Sequence, residues 1–372
     1  MKNVLGICNL HNCPSLGALT SKRPLGSVSF LGRYGLMDFA LSNLSNSGIE
    51  RIDVLIENNV KAISNHILGG QIWINNTKTG FLRTYFNEKE ACNAGFNTDV
   101  NNLIEQVADY IESSADYVVM TNPYMLMSMD FRQFKEGHIE ENCEVTLIYK
   151  KVTDADKNFI HCSTLKIDDC GFVKDFGINN GNKKEANIAL DSYIFTKDAI
   201  LKILKRAHET SLLFTLKDAL IYLVRKGEIK IKAREFDGYV ASIMSLDDYV
   251  KTSFSLLDYS NRSKLFINNW PIYTTSHNSS PVLYSETAEV KNSFIANGSI
   301  IKGKVTNSIL SRNVIVEEGA KISNSIIFTD SIIGKNANIS YVLTDKKVQI
   351  IEKKNIKGNK EELFYIPQGA II

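Results

Sequence analysis

From about residue 285 onward, isoleucine and valine recur at steps of six, and no other feature of the chain restricts its fold as strongly. The series runs Ile295 and Ile301; Ile309 and Ile315; Val316 and Ile322; Ile327, Ile333 and Ile339; Val342 and Val348. Small or polar residues fill the intervals, as in Gly298-Ser299, Asn307-Ser308, Glu318-Gly-Ala320 and Gly334-Lys-Asn-Ala337. A period of six matches neither the 3.6 of an α-helix nor the 2 of an alternating strand. It matches a hexapeptide β-helix, in which each short flat strand points one aliphatic side chain into a triangular core and the chain turns at small residues. The competing arrangement for such strands is an irregular β-sandwich.

The first two-thirds has a different texture. Val4 to Cys8, Arg51 to Ile56, Asp116 to Met120 and Val145 to Tyr149 are β-rich and bounded by polar or turn residues. Between and beyond them lie helix-like stretches: Gly35 to Ser47, Lys61 to Leu68, Asp99 to Ser113, Phe131 to Glu141, Asp198 to Arg206 and Phe214 to Arg225. That order predicts an α/β domain with a mostly parallel sheet, whose ligands bind at the carboxyl ends of the strands. The division expected is residues 1–255 as this domain, 256–284 as a connection containing Trp270-Pro271, and 285–372 as the left-handed β-helix.

At 372 residues the chain exceeds one ordinary core, and 44% apolar with 23% charged residues is the balance of a soluble globular protein. A net charge of +2 without long runs of one sign argues against a nucleic-acid partner. No apolar stretch reaches the roughly 18 residues of a membrane span, and Met1 to Ile7 meets polar residues too early for a signal-peptide core. Cys8, Cys13, Cys92, Cys143, Cys162 and Cys170 form no C-x-x-C pair and read as reduced cytoplasmic thiols rather than metal ligands.

Leu19-Thr-Ser-Lys-Arg-Pro24, Phe30-Leu-Gly-Arg-Tyr34, Asp38-Phe-Ala-Leu-Ser-Asn43 and Asn46-Ser-Gly-Ile49 follow one another in the N-terminal part. His66-Ile67, Gly69-Gly70, Trp73, Met129-Asp130, His138, Thr146 and Asn269-Trp-Pro-Ile272 come later. Together they resemble the bacterial glucose-1-phosphate adenylyltransferases (ADP-glucose pyrophosphorylases) over essentially the whole chain. The resemblance implies a Rossmann-like nucleotidyltransferase domain followed by a left-handed β-helix. The family reaction is attack of glucose-1-phosphate on the α-phosphate of ATP, which depends on positioning and charge neutralisation.

Each device that the resemblance implies for that chemistry is replaced. The phosphate loop reads Asn9-Leu-His-Asn-Cys-Pro-Ser-Leu16, with the family's glycines falling on Leu10, His11 and Cys13 and its arginine on Ser15. Side chains there obstruct close backbone approach to phosphate, and Pro14 has no N–H to donate. The lysine of K-R-A-K-P falls on Leu25. The metal aspartate of G-D-H is lost where Pro123-Tyr-Met125 stands, and that of W-x-D-V-G becomes Ser242 within Val240 to Met244. The G-T-A-D-A-V turn reads Asn97-Thr-Asp-Val-Asn-Asn102, and the E-K-P that grips the sugar phosphate reads Gly177-Ile-Asn179.

No catalytic, cofactor-binding or metal residue is therefore expected in this chain, and Mg²⁺ is expected only at a catalytic partner. Asp38 and Asp130 read as capping residues, Asp168-Asp-Cys-Gly171 as a β-turn, His11 as a solvated loop histidine, and Glu352-Lys-Lys354 as a solvated face. Cys8 and Cys13 flank the loop with nothing beside them to lower a thiol pKa. The pattern is similar to the degenerate, GlgD-type subunit of the paired form of the enzyme. That resemblance implies a regulatory role in a hetero-oligomer, a tetramer, with a catalytic paralogue in glycogen synthesis. The other functions that the sequence leaves open are a nucleotidyltransferase with an altered site and a stand-alone sugar or nucleotide sensor.

Overall fold

The computed structural model describes residues 3–86, 96–276 and 278–372; Cys92 lies outside the described residues. Strands β1 (Val4–Asn9), β2 (Ser29–Phe30), β3 (Tyr34–Gly35), β4 (Arg51–Ile56), β5 (Phe81–Phe86), β6 (Tyr117–Thr121), β7 (Met125–Met127), β8 (Val145–Val152), β9 (Ser163–Ile167), β10 (Val173–Ile178), β11 (Ala186–Thr196), β12 (Ile231–Glu235) and β13 (Val240–Ser242) belong to the N-terminal domain. Its helices are α1 (Met37–Asn46), α2 (Val60–Ile67), α3 (Asp99–Gln106), α4 (Ala108–Ser114), α5 (Phe131–Glu140), α6 (Lys197–Thr210), α7 (Leu216–Lys226), α8 (Leu246–Ser255) and α9 (Tyr259–Leu265).

β5, β4, β1 and β6 run parallel, and antiparallel β11 joins them to β8, β9, β10 and β12. Both faces of the sheet are covered, which is why its central strands are apolar almost throughout. One core gathers Leu41, Leu44, Val54, Trp73 and Phe131; the other gathers Leu5, Ile7, Leu103, Ile203 and Leu220. Local signals fix several helix ends. Thr98 and Thr196 cap α3 and α6, and α7 opens on a capping box between Thr215 and Asp218 and closes on Gly227 at φ 71°.

The single helix expected over Asp99 to Ser113 is two. Val107 leaves helical geometry at φ −123°, while its own N–H still reaches Leu103 and its carbonyl still receives Ile111. The break is a bend at a buried β-branched residue, not a loop. α9 falls within the segment read as a connection, and α8 just before it carried no expectation either.

The C-terminal strands stack in three parallel five-stranded sheets, the arrangement of a left-handed β-helix. Tyr284, Ile301, Val316, Ile333 and Ile350 align on one sheet. Val290, Val305, Ile322, Ile339 and Ile356 align on the second, and Ile295, Leu310, Ile327, Thr344 and Ile366 on the third. From the second coil onward these columns fill the interior, while Tyr284 and Val290 of the first coil are exposed.

Part of the six-residue series differs from expectation. Ile309 and Ile315 sit one position before Leu310 and Val316 and point outward. Val342 and Val348 are buried at corners, where the preceding coils carry Ser325 and Ser331. At Ile309 and Ile315 the period is right but its phase is shifted by one, which alternation along a strand turns into the opposite face. Val342 and Val348, two positions before Thr344 and Ile350, stay in the interior.

Corners are built from the left-handed region. Asn292, Asn307, Asn324 and Tyr341 form one column at positive φ, and Gly298, Asn313, Asp330 and Lys347 form another. Asparagine and glycine tolerate that region best, which explains their recurrence. Beside them, Ser299, Ser308, Ser325 and Ser331 each accept a hydrogen bond from the backbone N–H of the next coil.

The outward face of the third sheet is apolar and covered. Ile309, Ile326, Phe328 and Leu343 join Phe30, Phe39, Tyr249 and Leu265 of the N-terminal domain in one cluster. Burial of each such side chain stabilises the docking by roughly 1.5–3 kcal/mol as an upper bound. Arg23, buried, adds two hydrogen bonds from Nη2 to both carboxylate oxygens of Asp345 at 2.8 Å.

Candidate functional site

The carboxyl ends of β1, β4 and β6 face a cleft, and the loop after β1 is the segment that would hold phosphate there. Most of the N–H groups in and just after it are already committed. Leu10 donates to the Leu55 carbonyl at 2.9 Å, His11 to Asn9 Oδ1 at 3.0 Å, and Asn12 to Glu57 Oε2 at 3.2 Å. Leu16 donates to Thr20 Oγ1 at 2.9 Å and Gly17 to Ser15 Oγ at 3.2 Å. Leu10 and Leu16 are buried and turn the loop inward. A phosphate nest needs successive free N–H groups and positive potential. This loop spends most of its donors internally and brings the Glu57 carboxylate to where an anion would arrive.

His11 is buried, not solvated as its loop position suggests. Its Nε2 meets the Asn102 side chain at 3.2 Å, and burial pushes its pKa down to about 4, so the ring is neutral near pH 7. Nδ1 of His11 and Oδ1 of Asn97 and of Asn102 have no hydrogen-bond partner. The rest of the Asn97-to-Asn102 turn braces the domain. Asp99 accepts from Asn9 Nδ2 at 2.8 Å and from the Leu216 N–H at 2.9 Å, and burial raises its carboxyl pKa above the ordinary value.

The two positions that carry metal aspartates by resemblance do come together. Ser242 pairs with Met125 across β13 and β7, and the Ile243 N–H donates to the Tyr124 carbonyl at 2.8 Å. The scaffold is kept, but it presents a phenol and a hydroxyl. No group of three or more His, Cys, Asp or Glu residues able to hold a metal occurs among the described residues. The residues present therefore do not fit Mg²⁺, whose demand is for hard carboxylate oxygens. Ile178, at the position of the sugar-phosphate lysine, is exposed, and buried Asn179 ties the carbonyls of Ala155, Asn158 and Phe159.

Asp191 is the polar residue of this cleft that sequence reasoning missed. It sits at a register break of β11 with φ 45°, buried to 8% exposure. Tyr124 donates to it at 2.8 Å, Tyr193 at 3.1 Å and Lys217 at 2.9 Å. Burial and this carboxylate hold both phenols well above their ordinary pKa. The signal was present in the sequence as a lone carboxylate inside the aliphatic run Ile188 to Phe195.

Asp130 caps α5 by accepting the Arg132 N–H at 2.9 Å. Asp38, in the first turn of α1, accepts the Gly35 N–H at 2.8 Å and meets His66 Nε2 at 2.6 Å. Asp168 closes the turn between β9 and β10 through the N–H groups of Cys170 and Phe172. Burial pushes Cys8 up to about 12 and Cys13 well above its ordinary value, the opposite of a reactive thiolate. Glu352 and Lys353 are exposed.

A cavity of about 680 Å³ lies between the two domains. Lys22, Arg23, Arg33, Lys61, Arg312 and Lys346 line it, with Asp330 as the lining's carboxylate. Nη1 of Arg23 and Nε of Arg312 are buried without partners, and burial together with Arg23 lowers the Lys346 pKa. The chemistry of such a lining is to hold a polyanion. Residue separation concealed it: these cations come from both ends of the chain and meet only after docking.

The fold is that of a nucleotidyltransferase domain joined to a hexapeptide-repeat domain. Residues 15–237 match the nucleotidyl transferase family model and residues 282–365 the GlmU-like C-terminal hexapeptide model. The chain is 30% identical over 346 residues to the glucose-1-phosphate adenylyltransferase of Fervidobacterium nodosum, covering 90% of this chain and 81% of that one. It is 26% identical over 359 residues to the enzymes of that name from Bacillus cereus and Bacillus mycoides, covering 95% of each chain. The chain belongs to the glucose-1-phosphate adenylyltransferase family. No helix among the described residues is long and apolar enough to cross a membrane.

Proposed function

We propose that this chain is a non-catalytic, regulatory subunit of the GlgD type, acting on a catalytic adenylyltransferase paralogue that makes ADP-glucose from ATP and glucose-1-phosphate for glycogen synthesis. The observation that carries the reading is the loop after β1, whose N–H groups of Leu10, His11, Asn12, Leu16 and Gly17 are bound within the chain. A nucleotide that used those donors would first have to break their bonds within the chain. Mg²⁺ belongs to the partner's site in this reading, and the assembly is a cytoplasmic hetero-oligomer, a tetramer.

A subunit without turnover can still bias its partner if it binds an effector or the partner more tightly in one conformation. The interdomain cavity supports this, because its partnerless Arg23 and Arg312 atoms suit an anionic effector. The first coil of the β-helix supports the partner contact. Leu283 and Tyr284 there are 61% and 52% exposed, and the edge strands of that coil have no further coil above them.

The deciding experiment is co-expression with a catalytic paralogue, followed by co-purification and assay with and without this chain. Co-purification with a changed maximal rate or effector response supports the reading. Turnover by the chain alone, or no complex with the paralogue, refutes it.

A further inference from the structure

One corner of the β-helix carries a pattern that its backbone alone does not require. Every corner column sits at positive φ, where glycine and asparagine are least strained. Two columns change identity from coil to coil, as Gly298, Asn313, Asp330 and Lys347, and as Gly319, Asn336 and Lys353. The remaining column repeats one side chain, in Lys291-Asn-Ser293, Thr306-Asn-Ser308 and Ser323-Asn-Ser325. On the next coil it places Tyr341 at φ 56°. A bulky residue in that region is under backbone strain, and such strain concentrates at functional positions. The fold draws little from this tyrosine in return. Its half-buried side chain joins no hydrophobic cluster of the described residues, and its hydroxyl makes no hydrogen bond among them.

Asn292, Asn307, Asn324 and Tyr341 line one side of a cavity of about 670 Å³, and α8 lines the other. Val250 and Phe254 of α8, with Leu257 and Leu363, supply its apolar surface. Asn292 Nδ2 donates to Asn307 Oδ1 at 2.8 Å, which orients both amides. The Asn324 amide makes no hydrogen bond among the described residues. Charge around the groove is balanced: Lys251 pairs with Asp247 at 2.6 Å, and Lys360 stands next to Glu361. The interdomain cavity gathers cations, whereas this groove offers no net charge to an ion.

An amide holds a donor and an acceptor side by side, which matches hydroxyls that both donate and accept. Aliphatic groups and an aromatic ring match the C–H faces of a pyranose, and the tyrosine hydroxyl adds a polar group at the ring edge. Cavities of this size, with a few polar groups on apolar walls, suit small organic ligands. Asparagines recurring at about 4.8 Å per coil present the same amide to successive units of a short polymer. We infer that the groove between α8 and the corner column of Asn292, Asn307, Asn324 and Tyr341 binds a neutral oligosaccharide. The asparagine amides take its hydroxyls, and Tyr341 stacks on one of its rings. The groove alone carries this inference, which stands apart from the regulatory reading.

Calorimetric titration of the purified full chain with maltoheptaose and with cellopentaose, neutral glucose oligomers of opposite linkage, tests it. At least one is expected to bind with a submillimolar dissociation constant. Asn324→Gly keeps the corner conformation and removes the amide, so the melting temperature holds while that constant rises tenfold or more. Tyr341→Asn relieves the strained corner and removes the ring, and it weakens binding to the same extent without lowering the melting temperature. Asn336→Gly, in another corner column, leaves binding unchanged. Failure of both saccharides to bind at millimolar concentration overturns the inference. So does binding that survives Asn324→Gly and Tyr341→Asn undiminished, which would put the saccharide elsewhere on the chain. No paralogue is present in the titration, so failure here leaves the regulatory reading to its own test.

Discussion

Tyr124, which stands where the sequence resemblance implies a metal-binding aspartate, donates its phenolic hydrogen to Asp191 at 2.8 Å. Tyr124→Asp should therefore not restore chemistry. It sets two carboxylates together and removes a donor from a buried one, with an expected stability loss of about 1–3 kcal/mol. Ser242→Asp likewise adds one carboxylate with no phosphate loop to place a nucleotide. Clear Mg²⁺-dependent turnover from either variant would show that the lost ligands were wrongly located.

The wild-type chain alone should make no ADP-glucose above background from ATP, glucose-1-phosphate and Mg²⁺. Removing one preorganised charge-stabilising group lowers a rate roughly 10²- to 10³-fold, and here several are gone together. A turnover on the order of 1 s⁻¹ from a paralogue-free sample would refute this.

Rung residues should matter more to stimulation of a paralogue than cleft residues do. Ile327 and Ile333 are fully buried in the β-helix interior, and a carboxylate at either would be buried and unpaired. Ile327→Asp and Ile333→Asp are expected to abolish stimulation through loss of the domain. Ser15→Ala and Ser242→Ala should leave it nearly unchanged. Loss of stimulation by the cleft variants, with normal folding and co-purification, would make the cleft a working ligand sensor.

Arg23→Ala should loosen one domain from the other. It leaves Asp345 buried at 2% exposure with Tyr365 and backbone donors but no cation, a loss of about 3–5 kcal/mol. Differential scanning calorimetry should then separate the two domains into distinct transitions, or lower one shared transition. An unchanged profile would mean that the ion pair does not hold the domains together.

Acid should weaken the fold through its buried histidines. His138 and His11 are both held at about 4, mainly by burial, below the ordinary 6.5. The fold therefore prefers the neutral ring, and the unfolded chain takes up protons first. Stability from each is complete above pH 6.5, falls as pH drops toward 4, and is lost below that, by at most about 3 kcal/mol per histidine. Urea unfolding at pH 7, 5.5 and 4.5 should show this slope, and His138→Gln should flatten it.

What could be read from sequence divides along physical lines. The β-helix and the order of strands β1, β4, β6 and β8 follow from local patterns of apolar residues. The emptied positions at Ser15, Tyr124, Ser242 and Ile178 follow from the resemblance. The Asp191 network and the cationic cavity do not, because Tyr124, Asp191 and Lys217, or Arg23, Arg312 and Lys346, are distant in sequence and meet only in the folded chain. The outward phase of Ile309 and Ile315 was also hidden, since hydrophobicity alone does not say which side of a strand faces the interior of the β-helix.

The internally bonded loop after β1 also says something about history. Leu10 and His11 stand where the resemblance places glycines, and both side chains are buried, so each substitution has become part of the fold's own stability. Restoring one glycine would forfeit a buried side chain and a fixed backbone without yet gaining a phosphate. Every first step back is thus a loss, and the way to a working loop runs through less stable intermediates. The sequence is held on its present side of a ratchet, free to diverge further but poorly placed to return.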